Sequence, residues 1–183
     1  MKGVGRQDII VQKFGGTSLS SLENIDRAVA KIIVALKKGF RPVAVVSAMG
    51  RAGSPYATDT LLNTLKIASP GAAAREKDLL MSCGEIISTV FITSILRERG
   101  YPAVAMTGGQ AGIITDNNYG QAKILRIKPD KVCEALAEGL IPVVAGFQGQ
   151  TPEGDVTTLG RGGSDITASV IAVALNASLL EIY

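Results

Sequence analysis

The stretch Val11-Gln12-Lys13-Phe14-Gly15-Gly16-Thr17-Ser18-Leu19 joins an apolar run (Ile9, Ile10, Val11) to an amphipathic helical pattern. Between them stand one lysine, two adjacent glycines and two hydroxyls. Paired glycines let the backbone turn tightly and let a ligand approach main-chain N–H groups. A turn that feeds a helix aims those groups, and the positive end of the helix dipole, at one point that favours an anion. Lys13 adds a full positive charge, so the segment has the physics of a phosphate cradle. It is not a Walker-type loop, because its lysine precedes the glycines.

Outward from this loop the pattern alternates. Ile9 to Val11 predicts a buried strand, and Ser20-Ser21-Leu22-Glu23 a capping box with Ser20 as N-cap. Leu22, Ile25, Val29, Ile32, Ile33 and Leu36 follow a helical period that Lys37, Lys38 and Gly39 close. Val43 to Val46 gives the next strand, which completes a βαβ unit and implies a parallel pair. Thr58 is the expected cap of a helix carrying Leu61, Leu62 and Leu65. A longer helix is expected from about Arg75 to Arg99, with Leu79, Leu80, Cys83, Ile86, Ile87, Val90, Phe91 and Leu96 as its apolar face. Strands are expected at Ala103–Met106 and Ile141–Ala145, with a helix between them from Pro129 to about Glu138. Two hairpins are expected: Ile113-Ile114 with Ile124 to Ile127, and Phe147 to Thr151 with Asp155 to Leu159. A second glycine loop, Gly160-Arg161-Gly162-Gly163-Ser164-Asp165, leads to a helix ending near Leu175, and Ser178 to Tyr183 begins a last strand. The fold class that follows is α/β, a three-layer sandwich about a mainly parallel central sheet, in one domain.

Composition narrows the chemistry. The 183 residues are 46% hydrophobic, with no Trp and a formal net charge of +3. That charge, with no basic run interleaved with aromatics, gives no case for nucleic acid. Met1 to Gln7 has no apolar core of a secretory signal, and Ile86 to Leu96 is too short to span a bilayer, so no membrane role and a cytoplasmic location are expected. Cys83 and Cys133 are expected to be buried free thiols. The absence of histidine rules out Ser-His-Asp and Cys-His catalysis and His-based zinc sites.

In a parallel sheet, ligands bind beyond the carboxyl ends of the strands. Three chemically loaded segments fall there: Lys13 to Ser18, Ser47 to Gly50, and Phe147 to Asp165. Each glycine loop by itself is an ordinary turn; two, each with a cation, suggest two anionic partners brought together. Phosphoryl transfer to an anionic acceptor fits, since it runs on positioning and charge neutralisation. An ionised carboxylate acceptor needs no general base; a hydroxyl acceptor would call for one, with Asp165 the candidate. Glu85, mid-helix beside Gly84, either faces solvent or points into the cleft to meet an ammonium.

The segments Lys13-Phe14-Gly15-Gly16-Thr17-Ser18, Val45-Val46-Ser47-Ala48-Met49-Gly50, Gly84-Glu85-Ile86-Ile87-Ser88, Gly146-Phe147-Gln148-Gly149 and Gly160 to Ala168 occur in the order that resembles aspartokinases, within the amino-acid kinase family. The resemblance covers nearly the whole chain and implies phosphorylation of the L-aspartate side-chain carboxylate by ATP, with Mg2+ held mainly through the nucleotide phosphates and no direct metal ligand. It implies that Lys13 stabilises the transferring phosphoryl group and Asp165 orients Lys13. Gly15, Gly16, Thr17, Ser18, Gly162 and Gly163 would lie at the phosphates, with Gly15 and Gly16 offering backbone donors. Ser47, Glu85, Arg161 and Ser164 would hold aspartate, Glu85 by its ammonium and Arg161 by a carboxylate. The chain resembles the amino-acid-binding lobe over residues 1–183, without the nucleotide-binding half or regulatory domains, so an inactive fragment that self-associates as a homo-oligomer is expected. Another acceptor, acetylglutamate or glutamate, and a non-catalytic ligand or oligomerisation module are the alternatives.

Overall fold

A computed structural model describes residues 8–183; the expectation made on Met1 to Gln7 lies outside them. Among the described residues the order is β1 (Ile9–Phe14), α1 (Leu22–Lys37), β2 (Arg41–Val46), α2 (Thr58–Ala68), α3 (Ala74–Glu98), β3 (Ala103–Met106), β4 (Ile113–Thr115), β5 (Ile124–Ile127), α4 (Asp130–Ala137), β6 (Ile141–Ala145), β7 (Gln148–Gln150), β8 (Val156–Thr158), α5 (Gly163–Ala174) and β9 (Leu179–Ile182).

The main sheet has the order β3-β6-β2-β1-β9, and every pairing in it is parallel. Its inner strands read as continuous Val, Ile and Ala because both faces are covered. On one face Phe14, Ala44, Val46 and Val143 pack with Ile25, Val29 and Ile32 of α1 and Ile92 and Leu96 of α3. On the other, Val11, Val43, Val45 and Val144 pack with Val132 and Leu136 of α4 and Ala168 and Ile171 of α5. This is the expected three-layer sandwich. Alternation along β1 decides what reaches the site: Val11 belongs to the α4–α5 face, so Lys13, two residues on, projects to that face, where α5 begins.

The two hairpins form, and β4 pairs in parallel with β7, which joins them into a second sheet ordered β5-β4-β7-β8. Gly120, Phe147 and Thr158 at the margin of this sheet border the same cleft as Lys13 and Ser47, so it forms a roof at the carboxyl ends of the main strands.

Several expectations need correction. Ser21, not Ser20, caps α1, accepting from the Asn24 N–H at 3.2 Å, while Ser20 Oγ donates to the Thr17 carbonyl at 2.9 Å. A 3-10 turn over Gly16–Leu19 takes up the chain first, shifting the cap by one residue. Glu23 does not reach back to a capping box; it pairs with Arg27. The residues before α2 and α4 are Ala57 and Pro129, and neither caps with a side chain. Both cysteines are exposed, on the outer faces of α3 and α4.

The largest correction concerns α3. Its buried face is Asp78, Ser82, Gly84, Glu85, Ser88, Thr89, Ile92, Thr93 and Leu96. Half of the expected apolar face lies outward: Leu79 is 47% exposed, Val90 51% and Phe91 38%, and Cys83 is exposed beside them. Polar anchors and close approach to the main sheet outweigh the hydrophobic pattern here. At 25 residues α3 is also long and apolar enough to cross a bilayer, so length does not exclude a span. Instead, its packing against the main sheet and its buried carboxylates at Asp78 and Glu85 make it an interior helix of this fold.

Candidate active site

A cavity of about 780 Å3 opens at the carboxyl ends of β1, β2 and β6. It is lined by Lys13, Gly16, Ser47, Glu85 and the whole loop from Gly160 to Asp165. Nine of the twelve residues expected at the site therefore meet there, contributed by four separated segments.

Lys13 Nζ lies 2.8 Å from Asp165 Oδ1, with the lysine side chain 12% exposed and the aspartate 49%. The pair links the penultimate residue of β1 to the first turn of α5, whose backbone enters from Gly162 with φ +74°. In the first turn of a helix a carboxylate is favoured by the dipole, and here it also holds the lysine head in the cleft.

Glu85 enters from the opposite side. It is 3% exposed, and Oε1 accepts from the Ala48 N–H at 3.0 Å while Oε2 has no partner. Burial pushes its carboxyl up to about 8, against the lowering effect of the Ala48 N–H. An unpartnered buried carboxylate oxygen facing a cleft is a site for a cationic group, which would draw the proton off. Gly84 makes this approach possible. A Cβ there would stand 2.7 Å from Ala48 Cβ and 2.8 Å from the Tyr56 carbonyl. Gly16 plays the same part across the loop, where a Cβ would meet the Gly50 and Ala48 carbonyls at 2.6 and 2.9 Å.

Three expected residues do not line this cavity. The Gly15 N–H is committed to the Tyr183 carbonyl at 3.0 Å, extending the β1–β9 ladder rather than facing a ligand. Thr17 and Ser18 border a separate hollow of about 330 Å3 with Phe14, Arg27, Lys31 and Tyr183. In the second loop the Gly163 N–H is likewise taken by the Gly160 carbonyl at 3.0 Å. The expectation of free donors at Gly15 therefore fails, because strand pairing claims its N–H.

Residues given no site role from the sequence also line the cavity. Arg51 brings a third cation, its Nε donating to Thr17 Oγ1 at 3.2 Å. Phe147 sits at φ +67°, a conformation that costs a non-glycine residue about 1–2 kcal/mol. Its N–H donates to Thr167 Oγ1 at 3.1 Å and its carbonyl accepts from Leu159, which fixes the strained turn. Positive φ at a phenylalanine has no sequence signature. Among the described residues no group of three or more His, Cys, Asp or Glu is placed to hold a metal ion.

A model of the amino acid kinase family matches residues 8–183. Aspartokinase 1 of Bacillus subtilis (strain 168) is 48% identical over 175 residues, which cover 96% of this chain and 43% of that protein. The crystal structure of aspartate kinase from Synechocystis superposes with a TM-score of 0.79 at 41% identity, covering 95% of this chain and 28% of that one. A crystal structure of E. coli aspartokinase III in complex with aspartate and ADP gives a TM-score of 0.78 at 26% identity, covering 96% and 49%. The chain spans less than half the length of these relatives.

Proposed function

Because the chain belongs to the amino acid kinase family, we propose that it is the acceptor-binding lobe of an aspartokinase, holding L-aspartate for phosphorylation of its side-chain carboxylate by ATP. One observation carries the reading: Lys13 with Asp165, Glu85, and Arg161 with Ser164 converge on one cavity from opposite walls. An α-amino acid presents an ammonium and a carboxylate that suit Glu85 and Arg161, and Arg reads a carboxylate through a planar fork. Ser47 and Ser164 supply hydroxyls at the same cavity.

The acceptor carboxylate, with an ordinary value of about 3.9, is ionised at neutral pH and attacks without a general base. A bond forms between its oxygen and the γ-phosphorus, the bond from that phosphorus to the bridging oxygen breaks, and ADP leaves. Lys13 neutralises charge on the transferring group, and Asp165 keeps it aimed. Gly16, Gly162 and Gly163 leave room for phosphate oxygens near the backbone. Mg2+ would be held mainly through the nucleotide phosphates, where it would add charge neutralisation. A cytoplasmic setting belongs to the same reading; the exposed stripe of Leu79, Val90 and Phe91 supports self-association through the outer face of α3.

The test is a calorimetric titration of the chain with L-aspartate and with ATP, repeated on Glu85→Gln. Aspartate binding that vanishes in the variant while the variant stays folded supports the reading. Aspartate binding equal in both, or selective binding of glutamate or acetylglutamate, overturns it.

A further inference from the structure

Asp78 has no role in the chemistry above, yet it is 1% exposed and fully engaged. Its Oδ2 accepts from the Thr158 N–H at 2.7 Å and the Gly120 N–H at 2.9 Å, and Oδ1 accepts from Thr158 Oγ1 at 3.0 Å. A buried carboxylate is tolerated when donors surround it, and these donors belong to two different roof segments. Gly120 lies in the loop between β4 and β5, and Thr158 ends β8 two residues before the glycine loop starts. The roof is knit further by Ala122, whose N–H donates to the Thr158 carbonyl at 2.9 Å.

Asp78 and Glu85 are seven residues apart on α3, about 10 Å along the axis and on the same face. One end of this face binds the roof through Asp78, and the other reaches Ala48 through Glu85. Between them the Ser82 carbonyl accepts from Gln148 Nε2 at 3.0 Å. The helix thus sets the separation between the segment carrying Arg161 and the carboxylate of Glu85. We infer that Asp78 is a positioning residue that holds the Gly160–Gly163 loop at a fixed distance from Glu85, and so sets which acceptor length fits between Arg161 and Glu85. The specificity half of this inference rests on the aspartokinase reading; the positioning half does not.

The test is Asp78→Asn in the 183-residue chain, with Thr158→Val as a second variant that loses only the hydroxyl bond. Asn keeps the volume but offers one acceptor oxygen where two are used. Backbone amide exchange is expected to accelerate at Gly120, Thr158 and, beyond the direct contacts, Gly163, while Val11 and Val45 keep wild-type rates. The Kd for L-aspartate is expected to rise about tenfold in Asp78→Asn, as loosening cuts the binding-competent population of the loop to roughly a tenth, and less in Thr158→Val. The preference for L-aspartate over L-glutamate should narrow in parallel. Unchanged exchange at Gly163, or acceleration spread evenly over the chain, overturns the positioning role; an unchanged aspartate Kd with a loosened loop overturns the specificity role. If the wild-type chain takes up no L-aspartate, the aspartokinase reading falls, and exchange at Gly163 still decides whether Asp78 holds the loop. If Asp78→Asn does not fold, Thr158→Val carries both readouts.

Discussion

Lys13 Nζ stands 2.8 Å from Asp165 Oδ1, and this one contact ties the end of a central strand to the start of a helix on the wall of the cavity. With the aspartate half exposed, solvent screens the pair, and its worth to stability is about 1 kcal/mol or less. Its value lies in placing a cation. Lys13→Met should therefore leave the thermal midpoint nearly unchanged while weakening binding of inorganic triphosphate at the cavity at least about tenfold, the loss of a charged hydrogen bond. L-Aspartate affinity should change little. A large fall in midpoint with triphosphate binding intact would make the pair structural.

Glu85 gives stability a pH dependence of known sign. Its carboxyl lies at about 8 in the fold against 4.5 for the free group, through burial. Between those values the unfolded chain releases a proton that the native chain keeps, so this group's contribution to stability falls as pH rises from 4.5 to 8 and is level above. Glu85→Gln should remove that slope and be the more stable protein at pH 8, by roughly a few kcal/mol. Chemical denaturation at pH 5.5 and pH 8 measures it; parallel slopes in both proteins would contradict the burial of an acid.

Gly84→Ala places a methyl against Ala48 Cβ and the Tyr56 carbonyl. Overpacking of this kind costs about 1–3 kcal/mol, and in a domain of this size each kcal/mol lowers the midpoint by about 2–4 °C. Because the methyl pushes α3 from the β2 loop, aspartate affinity should fall with stability. A variant as stable as wild type would show that α3 can move without loss.

The outer stripe of α3 should mediate self-association. Light scattering at high concentration should find a wild-type dimer and a monomeric Phe91→Glu variant with an unchanged midpoint. A wild-type monomer would remove this role from the stripe.

Where burial on two faces imposes apolar runs, the sequence was readable: β1, β2 and β6 and their helices stand within a few residues of expectation. The loops carrying Lys13, Ser47 and Arg161 were legible because their position at strand ends follows from the βαβ order. The face of α3 was not, since its period of Leu79, Cys83 and Val90 points outward, while Asp78, Ser82 and Glu85 repeat at the same period inward. Hydrophobic pattern alone cannot show that a small, polar face packs on backbone. The Asp78 contacts were out of reach for a further reason, since they join residues 42 and 80 positions apart. Gly15 was misread because the partner that claims its N–H, Tyr183, lies at the far end of the sequence.

The most direct test of the account is the proton count when L-aspartate binds. At pH 7 the free Glu85 carboxyl, at about 8, is largely protonated, and an ammonium placed against Oε2 draws the proton off. Calorimetry in two buffers of different ionisation enthalpy should show release of close to one proton per L-aspartate bound at pH 7, and neither binding nor release in Glu85→Gln. Binding without proton release, or binding that survives in Glu85→Gln, would contradict the placement of the amino acid between Glu85 and Arg161.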